Sequence, residues 1–597
     1  MTQFLDRSSA ISEWFLRVKS PFRGSHPTIL LRQSYREGKR VRKRTLANLT
    51  CLPPEAIEAI KRTLRGEKLV SCYQAFAIER SIPHGHVKAI LGTIRKIGLD
   101  TIIASRRSRQ RDLVVAMIAE RLLHGCSKPA GTRLWHSTTL AEELSVQDAE
   151  VDELYEAMDW LLEGQERIEK KLAARHLGEG AQVFYDVSSS YYEGHTCSLA
   201  RHGHPQVGLV PRDGKKGRPI IVYGALTDRD GCPVAVQVYP GNTGDPSTVG
   251  DQVNKLRQRF GIWRVVLVGD RGMLTQTQIE KLRAYPQLGW ISALRSGSIR
   301  KLVEDKELQL SLFDKQNLAE ISSDEFPGER LIACFNPLLA DERARKRKAL
   351  LAAKEEKLQR IAKQVTRRTK TPLLTDEIAL KVGRVINGHK VGKHFSLHIE
   401  DGVFRWERDE ASIEQEAALD GIYVIRTSEP KKRLSAEDTV RSYKNLGQVE
   451  QVFRCFKGID IRVRPIYHRD DPRVRAHVFL CLLAYYVEWH MRRTLGSVLV
   501  DDEELTANRK TRDPVAKAKS SASVRRKKSQ RTTSDGLRVH SFHTLLEELG
   551  TLCRNRCRPQ SGLKSGCAAQ ADPSGSTFTQ DTRPTQWHTR VFRLLGV

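Results

Sequence analysis

Three acidic residues of the 597-residue chain occupy places that ordinarily exclude charge. Asp186 interrupts the apolar run AQVFYDV. Asp270 closes WRVVLVGD, immediately before Arg271-Gly272, and Glu450 sits in YKNLGQVEQVFRCFKG beside Val449 and Val452. Carboxylates brought together repel one another and are costly to bury uncompensated. A hard divalent cation removes that penalty. Mg²⁺ takes oxygen ligands and keeps several waters, which leaves room for phosphate oxygens. Two such ions roughly 4 Å apart would serve phosphodiester cleavage, activating water and stabilising the leaving oxygen.

The surroundings of Glu450 fit that chemistry. Tyr443, Glu450 and Lys457 are spaced by seven and seven residues, so on one continuous helix they would project from a single face. A phenol and an ammonium group both suit holding phosphates along a strand. Lys444, Arg454 and Arg271 add positive charge nearby, while Val449, Val452, Phe453 and Phe456 are placed to pack the helix on a sheet. Glu193, Asp228 and Asp230 are competing acids. A hairpin turn claims the last two, and Glu193, before Gly194, is expected outside any metal shell.

The whole chain is basic, with 100 Lys and Arg against 71 Asp and Glu, a net charge of +29. A surplus of that size attracts polyanions, nucleic acid first among them. Its length exceeds what one core serves, so several domains are expected. The 11 cysteines are scattered. Cys553 and Cys557, with Cys567, His540 and His543, fit no standard zinc module, and free thiols in a reducing compartment are expected. The N-terminus lacks a signal-peptide pattern. The most apolar run, 478–490, is too short to span a bilayer. A cytoplasmic protein with no membrane contact follows.

Elements that could position the acids are readable in order. Residues 27–35 and 40–48 flank REGK as a basic β-hairpin within region 1–52. Region 53–178 is helical by its three- and four-residue apolar steps and holds the basic cluster RRSRQRD at 106–112, a candidate DNA-recognition surface. In 179–295, strand candidates at 181–187, 218–228, 231–241, 263–272 and 290–295 alternate with helices, one over 245–261 capped by Asp245. That order predicts an α/β fold around a mixed sheet. Residues 296–420 break the pattern with a long charged helix and strand-like alternation. The core resumes over 421–500. Residues 501–535 are basic and poor in large apolar side chains, as a flexible linker would be, and 536–597 is a helical C-terminal segment.

YKNLGQVEQVFRCFK is similar to the tyrosine–arginine–glutamate–lysine signature of bacterial cut-and-paste insertion-sequence transposases of the DDE type. VFYDVSSSYYEG and VVLVGDRGM resemble that family's two aspartate motifs. Tyr443, Glu450 and Lys457 match in identity and spacing, whereas the signature arginine falls at Leu446, leaving Lys444 and Arg454 as the neighbours able to replace it. The resemblance implies a ribonuclease-H-like core interrupted by a mainly β insertion domain at 296–420, with a helical N-terminal domain that binds DNA ends. It implies that Asp186, Asp270 and Glu450 bind two Mg²⁺ or Mn²⁺ ions and that Tyr443, Lys444, Arg454, Lys457 and Arg271 contact DNA. Water would nick double-stranded DNA at the terminal inverted repeats, and the freed 3′-hydroxyl would then attack target DNA, within a dimer that holds two ends. In relatives the second strand is cut through a hairpin with a flipped base on an aromatic residue; Trp406 stands in the corresponding region, where a core role is the first expectation. A hydrolytic nuclease of the same fold and a catalytically inactive DNA-binding derivative are the alternatives.

Overall fold

The computed structural model describes residues 13–19, 27–65, 67, 76–203, 215, 217–309, 313, 317–386, 391–504, 508, 513–516, 520–559 and 577–597. They fall into two compact units, one of Met1–Pro83 with Leu552–Arg583 and the other of His84–Thr551 with Pro584–Val597.

In the first unit, strands Glu13–Lys19, Thr28–Glu37 and Arg40–Asn48 form an antiparallel meander. Glu37 pairs with Arg40 across a two-residue turn at Gly38-Lys39, and Gly38 has φ +62°, the left-handed conformation such a turn favours. The expected basic hairpin is therefore present, with a third strand added. Nearly all of Arg40–Asn48 is exposed, which leaves its arginines and lysine facing solvent. A second sheet joins Phe76–Pro83 to Cys553–Pro559 and Phe578–Asp581. The C-terminal region thus supplies strands here, as well as the expected helices Phe542–Gly550 and Gln586–Leu595 of the other unit.

The larger unit is built on an eight-stranded mixed sheet. Its strands are β1 (Ala181–Tyr191), β2 (Ile220–Thr227), β3 (Pro233–Pro240), β4 (Val265–Gly269), β5 (Leu288–Ala293), β6 (Leu318–Ile321), β7 (Arg330–Phe335) and, after the separate hairpin β8 (Phe395–Glu400) and β9 (Val403–Arg408), β10 (Ile422–Thr427). The spatial order is β6-β7-β10-β5-β4-β1-β2-β3. β4 runs parallel to β1 and β5, and the remaining pairs are antiparallel. β2 and β4 are buried along their whole length, as near-continuous apolar strands covered on both faces must be. The β2–β3 turn forms at Asp230-Gly231, with Gly231 at φ +84°. Asp228 Oδ1 accepts the backbone N–H groups of Asp230 (2.9 Å) and Cys232 (2.8 Å), so this acid organises the turn. The 245–261 segment departs from expectation. Gly244, not Asp245, occupies the cap, and a 3₁₀ turn at Asp245–Thr248 leads through Val249–Asn254 into a wider π turn at Lys255–Arg259.

Helices α1 (Arg109–Leu123), α2 (Val151–Glu163), α3 (Pro337–Arg367), α4 (Ala436–Lys444), α5 (Leu446–Lys457) and α6 (Asp471–Leu495) position the rest. α6, which contains the most apolar run of the chain, is buried through most of its length against α1, α2 and β3. The N-terminal helices and the sheet consequently share one hydrophobic core. Among the described residues no helix is long and apolar enough to cross a membrane. Three of the four arginines of the 106–112 cluster are engaged within the fold: Arg107 pairs with Asp112 at 2.7 Å, Arg109 with Asp148 and Glu153 at 2.9 and 3.2 Å, and Arg111 donates to the Ala104 carbonyl at 3.3 Å, while Arg106 is exposed.

The 296–420 region is not mainly β. Ser296–Glu304, α3, Thr375–Ile386 and Glu410–Ala417 are helical, and β6 and β7 extend the main sheet, leaving, among the described residues, only the β8–β9 hairpin as a strand pair of its own. The reason lies in α3, whose 31 residues look fully charged but carry Leu351, Leu358, Ile361 and Val365 at helical steps; these are buried with Ile378, Val382, Phe395 and Phe404. Trp406 belongs to the same cluster, edge-on to Phe395 with ring centroids 5.8 Å apart. The basic 507–532 stretch also holds structure. Ser521 caps helix Ala522–Gln530, whose buried Lys527 donates to the Gly496 carbonyl at 2.6 Å. Residues 505–507, 509–512 and 517–519 lie outside the described residues, as does Cys567.

Candidate active site

Strand register determines where the two aspartates stand. β1 and β4 pair in parallel with Tyr185 opposite Gly269, the last partners of that ladder. Asp186 and Asp270 are the next residue on each chain, at the carboxyl end of β4, where open α/β sheets present ligand-binding groups. Neighbouring strands lie roughly 4.8 Å apart, which makes the two acids lateral neighbours. Two local features shape their surroundings. A Cβ at position 224 would collide with the Tyr185 phenol, so Gly224 lets that ring lie across β2 on the face opposite Asp186. Beyond β4, the Met273 and Leu274 N–H groups both bond the Asp270 carbonyl, which turns the chain sharply.

The face toward which Asp186 points is covered by the helices carrying the other candidates. On β1, Gln182, Asp186, Ser188 and Ser190 share one side by strand alternation. Ser188 pairs with Tyr223 of β2, which puts Tyr223 on that side too. Its ring packs against Phe453 and Phe456 of α5, with centroids 5.8 and 6.1 Å away, and its hydroxyl meets Ser190 Oγ at 2.9 Å. From α4, Ser442 donates to Gln182 at 3.0 Å. Burial of Val449, Val452, Phe453, Cys455 and Phe456 fixes α5 on the sheet, at roughly 1.5–3 kcal/mol for each large apolar side chain. Glu450, exposed, rises from the same helix.

The seven-residue stripe is not one helix. α4 ends at Lys444 and α5 begins at Leu446, with Asn445 capping both. Asn445, followed by Gly447, is a poor place to continue a helix. Glu450 and Lys457 share a face of α5, whereas Tyr443 is delivered by the bend from α4. Its hydroxyl donates to Asp270 Oδ1 at 3.5 Å. Burial first, then the Asp270 carboxylate, pushes the Tyr443 phenol far above its ordinary pKa, with Arg271 opposing and Glu450 adding to the rise. Tyr443 is therefore a neutral donor that feels both acids.

The three carboxylates do not close into a cage. Among the described residues, the groups of three possible metal ligands within 4.8 Å of one another are His176 with Cys232 and His490, and Cys455 with Asp460 and Glu488. Asp186, Asp270 and Glu450 are not such a group. Asp186 Oδ1 accepts the Val187 N–H at 2.8 Å, Asp270 Oδ1 the Arg271 N–H at 2.6 Å, and Glu450 pairs with Arg454 at 3.4 Å. All the donors are hard oxygens, as Mg²⁺ or Mn²⁺ requires.

The cations divide into two sets. Arg271 and Arg454 are exposed beside the acids. Lys457 is half-buried on the Glu450 face, and its carbonyl accepts from Arg464 Nε at 3.3 Å. Lys444, expected to contact DNA, donates within the chain to the Val515 and Ala516 carbonyls at 2.9 and 3.3 Å and lies over the Tyr423 ring. Leu446 packs against the core, so no guanidinium comes from that position. Glu193 is held by the Tyr467 hydroxyl at 3.0 Å and Lys215 at 3.5 Å, and Asp230 by Arg493 at 3.3 Å. The bond from Tyr443 to Asp270 was invisible in the sequence, because only the bend at Asn445 creates it.

Comparison with known families gives two matches. Residues 198–487 match the model described as Transposase DDE domain, and residues 16–71 match the model of the IS1634 family transposase, N-terminal domain. No curated protein matches the chain. The first match spans the larger part of the mixed sheet and its covering helices. The second coincides with the three-stranded basic sheet and the helix Pro54–Leu64 that follows it.

Proposed function

We propose that this chain, which carries a transposase DDE domain behind an insertion-sequence transposase N-terminal domain, is a DNA transposase. It cleaves the ends of its element and joins them to target DNA by divalent-metal-dependent phosphodiester hydrolysis and transesterification. The observation that supports this best is the register of β1 and β4, which sets Asp186 beside Asp270 under the helix bearing Glu450.

In this reading Asp186, Asp270 and Glu450 hold two Mg²⁺ or Mn²⁺ ions. When bound, those ions would supply Lewis-acid activation of water and stabilise the leaving oxygen. The chain's own groups do the rest. Tyr443, kept neutral, holds Asp270 in place and offers its hydroxyl to a phosphate oxygen. Arg271, Arg454 and Lys457 supply the positive charge that aligns a DNA strand over the acids. Replacing Tyr443 with Phe is expected to slow cleavage about tenfold, the scale of one hydrogen bond to a charged group, without changing the melting temperature by more than about 2 °C. An unchanged rate would assign Tyr443 to packing.

The basic meander and the net charge of +29 suit retention of double-stranded DNA, and joining two ends calls for a dimer on DNA. The test is incubation with DNA carrying the inverted repeats that flank the gene, in Mg²⁺, with both nicked and joined products measured. Joined products are expected. Nicking without joining would identify a hydrolytic nuclease of the same fold, and binding without either product an inactive derivative.

A further inference from the structure

A cavity of about 460 Å³ lies where α1 and the segment after it face residues 462–477. Its walls carry Arg121, Lys128, Arg462, Arg464, Arg469 and Arg473, and Asp470 is the one acid among its lining residues. Lys128 is 5% exposed and Arg121 4%. Lys128 Nζ and Arg121 Nε are buried without a hydrogen-bond partner among the described residues. Glu120 lies close enough to favour the charged form of Lys128, but its hydrogen bonds go elsewhere. Glu120 accepts the Cys126 N–H at 3.1 Å and its thiol at 2.8 Å, and Asp470 reaches Arg473 only at 3.9 Å. A buried ammonium ion without a hydrogen-bond partner is a destabilising arrangement, and buried, electrostatically perturbed groups lining a cavity mark candidate ligand sites.

We propose that this cavity is an anion site that takes a phosphate group, with room for the nucleoside the phosphate carries. Arg121 and Lys128 form its floor. Guanidinium groups match phosphate geometry with paired N–H donors, and a volume of this order is that of ordinary small-ligand sites. Tyr155, whose ring lies 4.7 Å from the Arg473 guanidinium, offers a stacking face at the wall. The electrostatics agree. Burial, with Arg121 beside it, pulls the Lys128 pKa down to about 8, and burial together with Lys128, Arg121 and Arg473 holds His468 at about 3. The cavity does not include the three carboxylates and touches their elements only at the far ends: Ile466 bridges to Tyr192 just past β1, and Arg464 bonds the last residue of α5. The proposal stands whether or not the three acids are catalytic.

The experiment is thermal unfolding of the full chain without divalent ions. Added inorganic phosphate, a nucleoside monophosphate, or a 5′-phosphorylated single-stranded oligonucleotide is compared with chloride at equal ionic strength. At least one phosphate probe is expected to raise the wild-type melting temperature by several degrees. Lys128→Met is expected to melt higher than wild type in chloride, having lost a buried ammonium group that no hydrogen bond satisfies, and to lose the response. Arg473→Gln, at a more exposed wall position, weakens apparent affinity roughly tenfold and serves if Lys128→Met does not fold. A response to phosphate alone identifies a free-anion site, and a response confined to the phosphorylated oligonucleotide identifies a DNA strand end. The proposal is overturned if no probe exceeds chloride, if the variants respond like wild type, or if an unphosphorylated oligonucleotide works equally well. Asp270→Asn should keep the full response, which separates this site from the cleavage reading.

Discussion

Asp270→Asn is expected to abolish divalent-metal-dependent DNA cleavage while leaving DNA retention unchanged. Asp270 is exposed at the end of β4, and its Oδ1 accepts from the Arg271 N–H and the Tyr443 hydroxyl. An asparagine of the same shape presents a carbonyl oxygen that can accept both bonds, so the turn and the position of α4 should survive. What disappears is the negative charge. A divalent ion on an all-oxygen site draws its affinity from carboxylate charge, and its contribution as a Lewis acid is worth several kcal/mol in the transition state. Losing roughly 3 kcal/mol slows the reaction by more than about a hundredfold. The measurement pairs nicking rates in Mg²⁺ and Mn²⁺ with a gel-shift titration in chelator. Undiminished nicking would remove Asp270 from the catalytic set, whereas loss of DNA retention would mean that the substitution had disturbed the fold. Glu193→Gln is the control, since the Tyr467 hydroxyl and Lys215 already engage that acid.

How far the sequence anticipated this site depends on the range of the interactions involved. Asp186 and Asp270 were legible because a charge inside an apolar strand, or at its carboxyl end, is a local anomaly. Their adjacency required only that β1 and β4 pair in parallel. The β2–β3 hairpin and the Gly38-Lys39 turn were legible for the same reason, since turn chemistry is local. The position of Tyr443 was not. Helical periodicity put it on the Glu450 stripe, but the break at Asn445 hands it to Asp270 instead, and a bend of that kind is decided by what both helices bury. The fold contacts of Lys444 were equally out of reach of the sequence. The lysine has the right charge beside the right motif, yet its ammonium meets carbonyls of residues 515 and 516, some seventy positions away in the chain. The arginines at 107 and 109 show how charge runs mislead, because their partners at 112, 148 and 153 emerge only on folding. Within 296–420 the long charged helix was legible, but not that its few apolar residues, diluted among lysines and glutamates, anchor a cluster of their own.

Glu329→Gln is expected to destabilise the larger unit by about 3–5 kcal/mol, the cost of leaving a buried charge unpaired. The Glu329 side chain is fully buried and receives three guanidinium donors: Nε and Nη2 of Arg426, both at 2.6 Å, and Nη2 of Arg283 at 2.9 Å. Arg426 is 5% exposed in its side chain and stacks at 4.9 Å on Phe326. It belongs to β10, the strand by which the chain returns from the 296–420 excursion into the sheet, and its register partners are Leu331 of β7 and Ser292 of β5. Glutamine keeps one acceptor but presents an amide to the fork and leaves two arginines without their shared counter-charge. A fall in melting temperature of at least about 5 °C should follow. Replacing the pair together, Glu329→Leu with Arg426→Met, should regain most of it, because hydrophobic substitutes for a buried ion pair are often neutral or better. A single substitution without thermal effect would show that solvent reaches Arg426. Failure of the double to recover would instead locate the stabilisation in the ion pair itself. Well below the melting transition both variants should cleave DNA at the wild-type rate, because β10 contributes no group to the carboxylate face and only leads the chain toward α4.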